Sequence, residues 1–432
     1  MDGRLYMKRL SNLTGFGLLA LMLCMPLTGM ADDAGEWKHA SIALQDNSAA
    51  AVTNLSTQER TILQASLALK TDKPGQALRL LASAKGGSDP LVALLEAEAR
   101  RQQAIAAVRE AGGSGKEVQM LASADLNRGL GEADARLKAF MDRLDPISGE
   151  PVDILQPGPD VASIFMFDKA RSRMFVYQPG EDGRLKKITD EYVVTGSVKG
   201  DKEHRGDGRT PNGIYRFIKK LQGKQLQAIY GPIAFPIDYP NELDRLHHKD
   251  GSGIWLHGYP MDVSRRPPQD TRGCFSLSNK RLLAMAKHVS LGKTWVVVGE
   301  NLRFGHSDDK QKLLASVKQD IESWRHDWAT LNTDAYLSHY HPEFHSGTRD
   351  LAAWKAYKHR VNAGKAFIDV SLSDMTLIHD PNRWPEGEVV VAEFVQHYRS
   401  SNYADSGRKR LYLARSDAKS HWKILLEETL GK

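Results

Sequence analysis

The spacing of apolar positions divides the chain into regions of different texture. Over residues 56–144, apolar positions fall at helical spacing among Ala, Leu, Glu, Arg and Gln, without β-branched runs. That pattern predicts helices, broken into hairpins at Lys73-Pro74-Gly75 and at 86–90. From about 160 to 300 the period shortens. Segments 161–167, 173–178, 192–195, 213–218, 253–257 and 294–298 carry β-branched and aromatic residues between turn signals, which predicts strands. One helix is expected among them, over 279–288, with Ser278 or Asn279 as N-cap. Further on, Leu313, Leu314, Val317, Ile321, Trp324 and Trp328 form a helical stripe, and a short helix is expected over 351–361. Four strand-like segments follow, at 366–378, 388–400, 409–416 and 422–427. Helices followed by an antiparallel sheet predict an α+β cone. The polar segment 32–55 reads as a flexible leader. Residues 147–160, with three prolines, and 301–310 read as linkers. The expected fold is multidomain: a helical region over 56–146, a β-rich domain over 160–300 and an α+β domain over 311–432.

Composition narrows the class of protein. A chain of 432 residues with 41% apolar and 26% charged positions has the make-up of a two- or three-domain globular protein. The net charge of +6 is diffuse, and no Lys/Arg run is interleaved with aromatics, which argues against nucleic acid as a partner. The N-terminus is more informative. Arg4, Lys8 and Arg9 precede an apolar run at 16–27, and Gly29 and Ala31 supply small residues at a cleavage site. That order reads as a signal peptide over 1–31 and export to the periplasm, in preference to a short buried core helix. The run is too short to cross a bilayer comfortably, so no transmembrane segment is expected in the mature chain. Cys24 would leave with the signal peptide, and Leu23 is too large for a lipobox. The mature chain would then hold one thiol, Cys274, with no internal disulfide partner.

The candidate chemistry lies around that thiol. Gly253-Ile254-Trp255-Leu256-His257-Gly258 ends an expected strand, and Thr271-Arg272-Gly273-Cys274 follows a loop. A thiol nucleophile needs a base for its proton, and imidazole is matched to that task near neutral pH. The glycines flanking both residues let backbone approach a substrate. N–H groups at Gly273 and Cys274 are placed to hold an oxyanion, and Arg272 is expected to favour thiolate or to bind a substrate carboxylate. The competing reading is an inert buried cysteine beside a strand-end histidine.

These residues resemble the YkuD-type L,D-transpeptidase signature: His-Gly, a spacer, then Ser/Thr-His/Arg-Gly-Cys. Arg209-Thr210-Pro211-Asn212-Gly213-Ile214-Tyr215 is similar to the family's upstream turn and strand, and 165–168 with 174–177 to its opening hairpin. The resemblance covers about 160–300. It implies His257 as general base, Cys274 as nucleophile and Gly258 as the carbonyl that orients the histidine, with Thr271 and Arg272 shaping the site. It also implies peptidoglycan stem peptides as substrate and no metal or other cofactor. The acyl group would pass from a Cys274 thioester to a stem amine, a lipoprotein lysine, a free D-amino acid or water. The sequence departs from the pattern at Ser276, where many members have Arg or Asn, with Asn279 further on. An insert over 219–253 carries Tyr239-Pro240-Asn241-Glu242-Leu243-Asp244, which resembles a branch that includes peptidoglycan hydrolases. Tyr239 is therefore a candidate substrate wall, against an ordinary turn and helix start.

Two other readings stay open. One is a thiol amidase or L,D-endopeptidase acting on peptidoglycan or on its links to an outer-membrane lipoprotein. The other is a non-catalytic wall-binding scaffold. The C-terminal region, through Trp324, Trp328, 336–340 and Phe344, is similar to nuclear transport factor-like cones, which bind or pair more often than they catalyse. In the helical region, Ala65, Ala77, Leu81 and Ala84 resemble one tetratricopeptide repeat, although a generic helical hairpin explains them as well. His339, His341 and His345 do not share a helix face, and Pro342 interrupts them, so packed or solvated histidines are expected rather than a metal site.

Overall fold

A computed structural model describes residues 30–45, 55–84, 89, 91–122, 127–144, 150–263, 266–305 and 307–430. Residues 1–29, which hold nearly all of the signal-peptide reading and Cys24, lie outside the described residues.

The helical region is a bundle of Met30–Gln45, Thr57–Lys70, Pro74–Ser83, Leu91–Glu110, Gly115–Ala122 and Asn127–Leu144. Ser56 caps the second of these through Glu59 N–H, and Pro74 opens the third. The first helix corrects the flexible-leader reading over residues 32–45. Ala40, Ala43 and Leu44, at helical spacing, bury against Leu63, Leu67, Leu137 and Phe140. A polar composition concealed a narrow apolar stripe that needed a partner face.

The middle region holds two main sheets. A five-stranded sheet has the order Leu185–Tyr192, Arg173–Pro179, Ser163–Asp168, Thr294–Gly299, Gly213–Arg216. Its central pair, Ser163–Asp168 and Thr294–Gly299, runs parallel and is buried throughout. The pattern predicts only the end of the strand Leu185–Tyr192, because an edge strand with four charged residues in eight shows little apolar alternation. A four-stranded sheet has the order Phe275–Ser276, Trp255–His257, Ile233–Pro236, Leu221–Gln222. Phe165, Phe167, Phe217, Phe235, Leu256 and Phe275 form one core between the sheets.

The C-terminal domain wraps a seven-stranded sheet around Ser307–Ala329 and two shorter helices, Thr333–Ser338 and Leu351–Asn362. Trp324, Trp328, Tyr336, Tyr340, Phe344 and Trp354 fill its interior.

Neither expected linker is a free tether. Glu150–Pro151 pairs with Phe304–Gly305, and Ile154–Gln156 adds an edge strand to the C-terminal sheet. Proline confines a strand to an edge without excluding it from a sheet, and here both short strands lie at edges. A single apolar core then joins the two domains, with Ile164, Met166, Trp295 and Val297 facing Ile378, Val391, Tyr412 and Leu425. At its margin, buried Glu393 of the C-terminal sheet accepts from Arg216 at 2.7 Å and from Arg410 at 3.0 Å.

Candidate active site

Strand register puts the two candidate residues on neighbouring segments. Trp255–His257 and Phe275–Ser276 run parallel, with Leu256 opposite Phe275 and His257 opposite Ser276. Side chains alternate across a strand, so Leu256 and Phe275 share the inner face, where both are fully buried. His257 and Ser276 then share the other face. Cys274 immediately precedes Phe275, at the entry to the strand paired with the one that ends in His257.

The histidine is fixed by its neighbour. His257 Nδ1 lies 2.6 Å from the Gly258 carbonyl, which requires the Nδ1–H tautomer and leaves Nε2 as an acceptor. Ser276 Oγ donates to the same carbonyl at 3.1 Å. The Tyr230 ring packs edge-on to the imidazole, with centroids 5.0 Å apart. Burial pushes the pKa of His257 down to about 4, and Arg266 adds to the effect against the Gly258 hydrogen bond. The imidazole is therefore neutral at physiological pH.

The thiol of Cys274 is half-buried and donates to the Gly253 carbonyl at 3.4 Å. Burial raises its pKa more than the Trp255 backbone N–H, Arg266, Arg272 and Lys202 lower it. Arg272 acts in the expected direction, towards thiolate, but burial outweighs it. Its guanidinium is exposed, so its field reaches the sulfur through solvent and does not offset desolvation.

The loop before Cys274 is shaped by Thr271. Its hydroxyl donates to the Cys274 carbonyl at 2.7 Å and accepts from Gly273 N–H at 3.1 Å. The Gly273 N–H is thus committed within the loop, which corrects its reading as an oxyanion donor. Gly273 has φ +118°, and a Cβ there would lie 2.6 Å from the Arg209 carbonyl oxygen. Gly258 is needed for another reason: a Cβ would collide with Asn279 Oδ1. Asn279 in turn accepts from Tyr259 N–H at 2.9 Å and so holds the turn after His257.

Tyr239 is not a substrate wall in this structure. It is buried in the core between the sheets, with its hydroxyl donating to the Asp250 carbonyl at 3.0 Å. Asn241 and Asp244 next to it form a capping box on the helix Glu242–Leu246, the ordinary turn and helix start. Pattern reasoning missed Tyr230, Trp255 and Arg266. A signal for Trp255 existed, because it alternates with His257 on one strand. Tyr230 reaches the site from a short 3-10 turn, Ala228–Tyr230, and Arg266 from a loop, and nothing local marks them. Among the described residues, no group of three His, Cys, Asp or Glu side chains is arranged to hold a metal ion. His339 pairs with Asp327 at 2.8 Å.

Comparison with known proteins follows the same division of the chain. Residues 162–298 match the L,D-transpeptidase catalytic domain, YkuD, and residues 316–428 match the Cds6 C-terminal NTF2-like domain. The helical cell shape determining protein Pgp2 from Campylobacter jejuni, solved in a point-mutant form, is 31% identical; the match covers 67% of this chain and 97% of that one, with a TM-score of 0.56. Bd1075 from Bdellovibrio bacteriovorus is 24% identical over 66% of this chain and 99% of that one, with a TM-score of 0.57, and speaks for the fold alone. No curated protein matches the chain. The chain belongs to the YkuD L,D-transpeptidase family, with an NTF2-like domain at its C-terminal end. Its function is accordingly L,D-transpeptidase-like and related to peptidoglycan.

Proposed function

We propose that this protein is an exported, periplasmic cysteine L,D-transpeptidase acting on peptidoglycan tetrapeptide stems. The observation that carries the reading is the His257 imidazole, its Nδ1 tied to the Gly258 carbonyl at 2.6 Å and its Nε2 left to accept, on a strand paired with the one that opens directly after Cys274. Cys274 Sγ attacks the diaminopimelate carbonyl, and its proton passes to His257 Nε2. The tetrahedral intermediate collapses to a thioester, and the D-alanine amine leaves with the proton from His257. An acceptor amine then attacks the thioester, gives its proton to His257 and frees the thiol. A neutral imidazole beside a neutral thiol suits this cycle, since the base is ready and the proton moves during attack. Arg272 lies exposed two residues before Cys274 and is available to a substrate carboxylate. The relation to Pgp2 extends the proposal to remodelling that affects cell shape.

The test is to incubate the purified protein with tetrapeptide muropeptides and to follow the products by mass spectrometry beside Cys274→Ala. Cross-linked dimers or amine-exchanged stems, absent with the variant, are the expected result. Shortened stems alone, or lipoprotein released from a linked substrate, would make water the acceptor and the protein a hydrolase. No Cys274-dependent product would overturn the enzymatic reading and leave a wall-binding role. A carbapenem is expected to acylate the same thiol, and more slowly when His257 is replaced by Gln.

A further inference from the structure

One flank of the candidate site is the loop between Asp201 and Arg209. The Arg209 carbonyl packs against Gly273, where it leaves no room for a Cβ. Lys202 is buried, with Nζ donating to Asp207 Oδ1 at 2.7 Å and to the His204 carbonyl at 2.8 Å. The placement of Gly273, and of the Cys274 that follows, therefore depends on where this loop sits.

The outer end of the loop is anchored by Lys249. Its ammonium pairs with Asp201 Oδ2 and lies 3.6 Å from Asp244 Oδ1. Asp201 Oδ1 accepts from Asn212 N–H at 2.7 Å, which fixes the loop's return to the strand Gly213–Arg216. Next to Lys249, the Asp250 N–H donates to the Glu203 carbonyl at 3.0 Å, and the Asp250 carboxylate accepts from Arg205 N–H.

Lys249 is itself covered from the C-terminal domain. Its Nζ stands 4.2 Å from the centroid of the Trp384 ring, and His247 stacks on the same ring at 5.0 Å and 22°. Trp384 is held rigidly. Its backbone exchanges two hydrogen bonds of 2.9 Å with Gly387, and its Nε1 donates to Asp380 Oδ2 at 3.0 Å. Glu386 reaches back to within 3.3 Å of His247 Nε2.

We infer that Trp384 is a positioning residue for the catalytic site: the C-terminal domain fixes the Asp201–Arg209 loop, and through it Gly273 and Cys274, by pinning Lys249. An ammonium against the face of a buried indole is a directional contact, so the anchor resists sideways movement. Misplacement of a reacting atom by 1 Å is enough to cost roughly 100-fold in rate. The inference rests on Cys274 being the reacting group.

The test uses the full chain with Trp384→Ala, Trp384→Phe, Lys249→Met and the Trp384→Ala/Lys249→Met double variant. The readouts are kcat and KM on tetrapeptide muropeptides, the rate of Cys274 alkylation by iodoacetamide, and thermal unfolding. Trp384→Ala and Lys249→Met are each expected to lower kcat by about tenfold with KM little changed, as a partial misplacement would. The double variant should be no worse than either single, and Trp384→Phe should recover most of the rate. The alkylation rate of Cys274 should change in the same order across the set. Wild-type kcat and alkylation in both folded single variants would overturn the inference, as would losses that multiply in the double variant. Should Trp384→Ala fail to fold, Lys249→Met and Trp384→Phe still decide it. If the wild-type protein turns over no muropeptide, the functional reading fails, and the alkylation rates alone then decide whether Trp384 places the thiol.

Discussion

Burial determines the behaviour of the two residues that matter most. Burial holds His257 neutral, and partial burial raises the pKa of the Cys274 thiol despite the nearby cations. The imidazole stays neutral down to about pH 4, and the thiol ionises only above its ordinary range. The acid limb of kcat/KM is therefore expected below pH 6, not near the ordinary histidine value. Alkylation of Cys274 should keep rising past pH 9 instead of levelling near neutrality. A stopped-flow alkylation profile checks both points, and a plateau between pH 5 and 7 would indicate a resting thiolate–imidazolium pair instead. The same depressed pKa bears on stability. Between about 6.5 and 4 the unfolded chain takes up a proton at His257 that the folded chain refuses, so stability falls as pH drops through that window. Replacing His257 by Gln should remove that part of the pH dependence in urea unfolding curves.

Single elements matter through how tightly they meet. The turn carrying Cys274 has no room at Gly273, where φ is +118° and the Arg209 carbonyl blocks a side chain. Gly273→Ala is expected to cost about 1–3 kcal/mol in backbone strain and to lower activity by roughly 100-fold through displacement of the thiol. Calorimetry with single-turnover kinetics would test this; a variant that kept full activity would show the turn to be more compliant than its geometry implies. Register in the neighbouring strands was legible in part. The alternation of Trp255, Leu256 and His257 places Leu256 inward, and the sequence carries that pattern openly. That His257 stands opposite Ser276 was not legible, because pairing is set by where two distant strands meet.

At the scale of the whole molecule, the catalytic and C-terminal domains share one core and a buried ion triad. Glu393 lies between Arg216 and Arg410, both buried. Removing the carboxylate takes the paired charge from Arg216 and leaves Arg410 only the longer contact to Glu428 at 3.7 Å, and Glu393→Ala is expected to destabilise the protein by about 3–5 kcal/mol. Replacing all three residues by apolar ones of similar size should cost much less. Urea unfolding of both variants separates a role for the charges from one for the packed volume. If the shared core holds, the two domains should also unfold in one transition.

The sequence by itself determined the division into helical, β-rich and α+β regions, most strand positions, and the choice of a glycine-flanked histidine and cysteine as candidates. Those follow from local periodicity and from residue types that few other roles require. Only the tertiary structure decided the electrostatics of the pair, the burial of Tyr239, the commitment of the Gly273 N–H, and the use of both connectors as short edge strands. The physical reason is common to all four. A pKa, a free N–H or an exposed ring depends on what stands within a few ångströms, and here those neighbours come from segments far apart in the chain.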